Sequence, residues 1–80
     1  MIKLKNIKRD NNIITCVAYP EDCEVGLKMT INIEDETEEY EPLPKGYEYC
    51  KGNMAMGKWH LLRLLEKGED LPENATVMWY

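Results

Sequence analysis

The most constraining feature of the sequence is a strict alternation of apolar and polar residues over residues 27 to 34. A period of two places successive side chains on opposite faces of a strand. One face of this strand is therefore predicted to lie in the core and the other to meet water. The apolar set is Leu27, Met29, Ile31 and Ile33, and the polar set is Lys28, Thr30, Asn32 and Glu34.

Two further strands are predicted before this segment, over residues 2 to 9 and 13 to 19. The first alternates apolar and charged residues, and the second is rich in β-branched and aromatic residues and stops at Pro20. Antiparallel pairing of the three strands gives a β-meander over residues 2 to 33.

A two-residue turn at Asp10 and Asn11 sets the predicted register of the first hairpin, since both side chains favour tight turns. It places Leu4 opposite Val17, with the side chains of the second strand divided between the two faces of the sheet. The core face then carries Ile13, Thr15, Val17 and Tyr19, whereas the other, mildly apolar face carries Ile7, Ile14, Cys16, Ala18 and Thr30.

Residues 34 to 41 contain six acidic residues and no basic one. Repulsion between like charges favours an extended, solvated segment. Pro42 and Pro44 disfavour a regular helix immediately afterwards. The sequence therefore predicts an acidic linker over residues 34 to 46.

Residues 47 to 67 are predicted to be a helical region that ends at Gly68. Asn53 is a candidate N-cap for a helix over residues 54 to 67, and residues 47 to 52 are an alternative separate turn. The start of the helix stays open between residues 47 and 58. Its apolar stripe, which we expect to cover the sheet, consists of Met54, Ala55, Leu61, Leu62 and Leu65.

A last strand over residues 75 to 80 is expected to complete the sheet, and we favour the edge beside the first strand although the sequence does not choose it. The predicted fold is α+β: one small domain over residues 1 to 80, with a three-stranded antiparallel meander, one amphipathic helix and a C-terminal strand. Its predicted core is Ile2, Leu4, Ile13, Val17, Tyr19, Leu27, Met29, Ile31, Ile33, Leu61, Leu62, Leu65 and Val77.

The composition excludes several classes of partner. A formal charge of −5 argues against direct nucleic-acid binding. No apolar run is long enough to span a bilayer, and residues 1 to 6 lack the apolar stretch of a secretory signal. Three cysteines at wide spacing favour reduced thiols. We expect a cytoplasmic protein without membrane association.

The candidate chemistry is sparse. Cys23, Cys50 and His60 could offer three metal ligands, but no paired spacing holds two of them together, and no metal site is predicted. Neither glycine motif of nucleotide-binding loops occurs, so no cofactor is expected. Catalysis by Cys50 with His60 as base is the enzymatic alternative, and it requires a depressed pKa at Cys50.

The leading functional hypothesis is a small non-enzymatic interaction or accessory module that binds a protein. Acidic side chains suit a basic partner, and large aromatic residues are frequent interface anchors. An acidic decoy that inhibits a nucleic-acid-binding protein is a sharper alternative. The candidate partner surface consists of Glu36, Glu38, Glu39, Tyr40, Glu41, Trp79 and Tyr80.

The oligomeric state is left open between monomer and homodimer. Exposed sheet edges permit a dimer, whereas lysines on an edge strand oppose pairing with a second chain. Lys3, Lys5 and Lys8 are interpreted as such edge protection on the first strand.

The C-terminal pattern consists of the leucines at positions 61, 62, 64 and 65, then Leu71-Pro72, then residues 76 to 80. This pattern resembles the ends of short proteins of unknown role from low-GC bacteria and their mobile elements. The resemblance implies a cytoplasmic accessory protein and no catalytic residues.

Overall fold

Five strands and one helix are formed by residues 1–79, the part of the chain that this computed structural model describes. The sheet is antiparallel, with the strand order β4-β3-β2-β1-β5, and the α+β class predicted from the sequence is confirmed. The elements are β1 (Ile2–Asp10), β2 (Ile13–Pro20), β3 (Leu27–Asn32), β4 (Thr37–Tyr40), α1 (Lys51–Glu66) and β5 (Ala75–Val77).

The last strand joins the sheet beside β1. Ile2 pairs with Val77 and Leu4 with Ala75. The predicted strand extends to residue 80, but β5 ends at Val77, and Tyr80 lies outside the described residues. β5 covers β1 over Ile2–Leu4, so Lys3 lies on an internal stretch of the sheet, and the interpretation of edge protection is wrong for this lysine.

Residues 37 to 40 of the acidic segment form the strand β4, which corrects this part of the predicted linker over residues 34 to 46. β4 pairs with β3 and extends the three-stranded meander to four strands. The connecting turn is closed by a hydrogen bond of 3.0 Å from the Asp35 backbone N–H to Asn32 Oδ1, and Glu36 takes a φ of 58°. These local contacts hold the hairpin together despite the like charges.

The register of the first hairpin differs from the predicted one by two residues next to the turn, where Lys8 lies opposite Thr15. Further along β1 it differs by one residue, since Leu4 lies opposite Ala18 rather than Val17. The turn lies at Asn11 and Asn12, Asn11 has a φ of 55°, and Asp10 pairs with Ile13. A shift of one residue exchanges the two faces of a strand. The residues of β2 that face α1 are consequently Ile14, Cys16, Ala18 and Pro20, all of which are buried.

A β-bulge at Asn6 changes the alternation along β1. The pairing shifts between Lys5 and Lys8, and Asn6 adopts a φ of 54°, a left-handed conformation that asparagine tolerates. Because of the extra residue, Ile7 faces the core together with Ile2 and Leu4. The Ile7 N–H then donates to the Glu73 carbonyl at 2.9 Å, which ties the bulge to the segment before β5.

The core differs from the predicted list mainly in β2. Ile13, Val17 and Tyr19 are only half-buried, and Ile33 and Leu65 are partly buried against the core. The remaining predicted core residues are buried. Four of the residues predicted for the mildly apolar opposite face belong to this core, namely Ile7, Ile14, Cys16 and Ala18. The fifth, Thr30, is exposed.

Helix α1 lies across the core side of β1 and β2. Gly57 allows the close approach, since a Cβ atom there would lie 3.3 Å from Leu4 Cδ2. The helix is preceded directly by a 3-10 turn at Glu48–Cys50, so it starts earlier than residue 54, and Asn53 is inside it rather than at the cap. Gly68, with a φ of 74°, follows its C-terminus as predicted.

The Cys16 thiol gives the fold a testable pH dependence. Burial raises the pKa of Cys16 from 9.0 to about 11, so the folded chain holds this proton to higher pH than the unfolded chain does. The free energy of unfolding should therefore fall as the pH rises from about 9 towards 11. Urea unfolding should show a steeper decline for the wild-type protein than for Cys16→Ala, whereas parallel curves would contradict this burial.

Candidate functional site

The sheet has one covered face and one open face. Helix α1 packs on the core face, whereas the side chains that alternate with the core residues point to the other side. We call this second surface the open face. Its residues are Lys3, Lys5, Lys8 and Asp10 on β1, Ile13, Thr15, Val17 and Tyr19 on β2, Lys28, Thr30 and Asn32 on β3, Thr37 and Glu39 on β4 and Thr76 on β5.

Cross-strand pairing arranges the open face in rows. Val17 of β2 lies between Lys5 of β1 and Lys28 of β3, and Thr15 lies between Lys8 and Thr30. A depression of about 280 Å³ is lined by side chains of both rows. The floor of the face is thus formed by threonine and valine, and lysines stand at its sides.

Four lysines of the open face have no carboxylate partner among residues 1–79. The ion pairs in this part of the chain involve other cations, namely Lys58 and the N-terminal ammonium group. Lys5 places its Nζ 5.2 Å from the centre of the Tyr19 ring, in a cation–π contact. The cluster therefore concentrates unpaired positive charge on one surface of an acidic protein.

Lys58 of α1 contacts the hairpin formed by β3 and β4, and this lysine is only 7% exposed. Its Nζ donates to the Glu36 carbonyl at 2.9 Å and to Glu38 Oε1 at 3.1 Å. It also lies 4.3 Å from the centre of the Trp59 ring. Glu38 faces the helix because it pairs with the core residue Ile31. This carboxylate is consequently part of an internal ion pair.

The other acidic and aromatic residues of the predicted partner surface have different surroundings. Glu41 Oε1 accepts a 2.8 Å hydrogen bond from the Lys28 backbone N–H. Tyr40 packs against the core, and burial, aided by Glu38, raises the pKa of its hydroxyl. Glu36 and Glu39 are exposed.

The two halves of that predicted surface lie at opposite edges of the sheet. Trp79, which is 40% exposed, follows β5, whereas the acidic residues belong to the β4 edge. Tyr80 lies outside the described residues. The structure therefore does not bring the acidic run and Trp79 together in one site.

A second polar cluster joins the chain start to the helix. The N-terminal ammonium group of Met1 donates to Glu21 Oε1 at 3.0 Å, and Asn53 Nδ2 donates to the Met1 carbonyl at 2.8 Å and to the same Glu21 oxygen at 3.0 Å. Beside it, Tyr47 Oη donates to Asp22 Oδ1 at 3.0 Å, which raises the pKa of Tyr47 to about 12. These contacts fasten the β2–β3 loop to the start of α1.

Cys50 and His60 are not brought together. Cys50 directly precedes α1, and His60 lies ten residues further along, which corresponds to roughly 15 Å of helix rise. Burial raises the pKa of the Cys50 thiol, opposite to the shift that a nucleophilic thiolate needs. Within residues 1–79, no three histidine, cysteine or acidic side chains are placed to hold a metal ion.

Reasoning from the sequence missed both the open face and the contacts of Lys58 with Glu36 and Glu38. The signal for the face was present, because Lys3, Lys5, Lys28 and Thr30 alternate with apolar residues. It became misleading once β1 was treated as an edge strand. The signal for the contacts of Lys58 was its position on the apolar side of the predicted helix.

Comparison of the chain with protein-family models, with curated protein sequences and with solved structures finds no match. Among residues 1–79, no helix combines the length and the apolar character required to cross a bilayer.

Proposed function

We propose that this chain is a small non-enzymatic interaction module that docks a protein partner on its open face. The observation that carries the proposal is the contrast between the two sides of one sheet. One side is closed by α1, whereas the other presents four lysines that have no carboxylate partner among residues 1–79. Unpaired charge gathered on one surface favours an encounter with a partner of complementary charge.

The rigidity of the surface supports this proposal. β3 has a paired strand on both sides, and so does β1 over Ile2–Leu4, so Lys28 and Lys3 project from internal positions of the sheet. The sheet backbone is preformed, so binding costs conformational entropy mainly in the lysine side chains. The acidic run presents fewer free carboxylates to a partner, because Glu38 is paired with Lys58 and Glu41 accepts a hydrogen bond from the β3 backbone. We therefore favour the open face over the acidic run, and the interaction module over an acidic decoy.

The proposed setting is the cytoplasm, since three buried free thiols suit a reducing compartment. An accessory role is in keeping with the C-terminal pattern that resembles short proteins of low-GC bacteria and their mobile elements. In this proposal a protein is the partner, and neither nucleic acid nor a membrane is needed.

Site-specific photo-crosslinking in the source cells tests the docking surface. A benzophenone side chain at position 30 should yield an adduct of defined mass with the partner, because Thr30 is exposed on the open face. The same group at position 63 is the matched control, since Arg63 is exposed on α1. Crosslinks that form only at position 63, or equally at both positions, would contradict the proposal.

A further inference from the structure

We propose that the partner presents an extended acidic segment whose aspartate or glutamate side chains contact the lysines of the open face. This inference rests on the proposed function and adds the chemistry of the ligand. Its basis is the cluster of Lys3, Lys5, Lys8 and Lys28, none of which pairs with a carboxylate between residues 1 and 79. Like charges on neighbouring positions of a sheet repel one another, and anionic side chains relieve this repulsion.

The spacing of the lysines matches that of an extended peptide. Lys3 and Lys5 occupy alternate positions of β1 and point to the same face, about 7 Å apart at their Cα atoms. Acidic residues at every second position of an extended segment repeat at the same interval. Lys28 lies two strands from Lys5, a distance of about 10 Å, so a bound segment has cations on both sides.

The depression at the centre of the face provides groups that suit a carboxylate. Lys8 and Lys28 line it together with Thr15 and Thr30. Ammonium groups supply charge-assisted hydrogen bonds, and threonine hydroxyls are additional donors. A glutamate side chain placed there meets both kinds of donor.

Two observations favour an acidic peptide over a nucleic-acid strand. The lysine cluster is bordered by acidic residues. Glu39 and Glu41 lie on the β4 side, and Asp22 and Glu24 follow the C-terminal end of β2. A phosphate backbone that continued beyond the patch would meet this negative charge. In addition, the Tyr19 ring is in contact with the Lys5 ammonium group, which occupies the aromatic surface on which a base would stack.

The test measures binding of a fluorescent hexaglutamate peptide by anisotropy, at ionic strengths of about 20 and 150 mM. The face variant combines Lys3→Gln, Lys5→Gln, Lys8→Gln and Lys28→Gln. The control variant combines Lys45→Gln, Lys51→Gln, Arg63→Gln and Lys67→Gln, which are exposed basic residues outside the face. Both variants lose the same number of positive charges, so they separate local contacts from net charge.

We expect the wild-type protein and the control variant to bind hexaglutamate, more weakly at the higher salt. The face variant should lose at least about tenfold in affinity. Circular dichroism checks that both variants are folded. The double variant Lys8→Gln/Lys28→Gln, which should show a smaller loss in the same direction, replaces the face variant if the latter does not fold.

Four results would overturn the inference: no binding by the wild-type protein, equal losses in the two variants, tighter binding of hexathymidylate than of hexaglutamate, or a wild-type dimer in sedimentation that only the face variant dissociates. The crosslinking at position 30 does not depend on the chemistry of the partner. Crosslinks there without hexaglutamate binding would leave the docking surface in place and remove the acidic ligand. Failure of both experiments would remove both proposals.

Discussion

Replacing Ile14 with alanine is expected to lower the free energy of unfolding by about 3 kcal/mol, whereas Ile13→Ala should lower it by less than about 1 kcal/mol. Ile14 is fully buried beneath α1, and Ile13 is half-buried at the end of β2 next to the hairpin turn. The two residues are chemically identical neighbours. Their ranking therefore reports which face of β2 lies in the core.

Chemical denaturation of the two variants makes this comparison directly, and the matched substitution removes differences in side-chain chemistry. Equal m-values in the two transitions would show that the unfolded states are comparable. A larger loss for Ile13→Ala would contradict the observed register. It would instead favour a turn at Asp10 and Asn11, with Val17 and Tyr19 under the helix.

Lys58→Met is expected to lower the free energy of unfolding by about 2 kcal/mol. Methionine retains most of the apolar stem but removes the ammonium group, leaving Glu38 and the Glu36 carbonyl without this donor. Glu38 retains a side-chain exposure of 20%. This access to water makes the expected loss smaller than for a fully buried pair.

The double variant Lys58→Met/Glu38→Leu isolates the contribution of the ion pair. The double variant leaves no unpaired carboxylate. We therefore expect its loss in the free energy of unfolding to be about 1 kcal/mol smaller than the sum of the losses in the two single variants. Lys51→Met, at an exposed position of the same helix, is the control and should change stability little. Additive single effects would show that Lys58 and Glu38 do not interact in solution.

The elements with strong local signals could be predicted from the sequence. The alternation of Leu27, Met29 and Ile31 is sufficient to define β3 and its buried face, which the structure confirms. The helix and its end at Gly68 follow from the leucine stripe and from the freedom of glycine to take a positive φ. In these segments, the local sequence preference and the tertiary packing agree.

The prediction failed where tertiary contacts decide between two local possibilities. Both faces of β2 are apolar, so the sequence favoured the bulkier set that includes Val17 and Tyr19. The structure instead places the small residues Cys16 and Ala18 on the side where α1 packs. The β4 strand was missed for a similar reason, because Lys58 contributes its neutralising charge from a distant position in the chain.

The open face could be predicted only in part. The alternation indicates that Lys28 and Thr30 meet water, and it indicates the same for Lys3 and Lys5. Their assembly into one surface depends on the pairing of β1 and β3 with β2, and on the bulge at Asn6, which turns Lys8 to the same face. The lysines themselves indicate neither the strand pairing nor the bulge.

Lysine side-chain NMR tests most directly whether the open face is the binding surface. The protein has eight lysines, and the assigned ¹H–¹³C signals of their Cε methylene groups can be followed during titration with hexaglutamate. We predict that the signals of Lys3, Lys5, Lys8 and Lys28 shift in parallel, while those of Lys45, Lys51 and Lys67 stay in place. Shifts of similar size at all exposed lysines, or shifts confined to the second group, would contradict the claim.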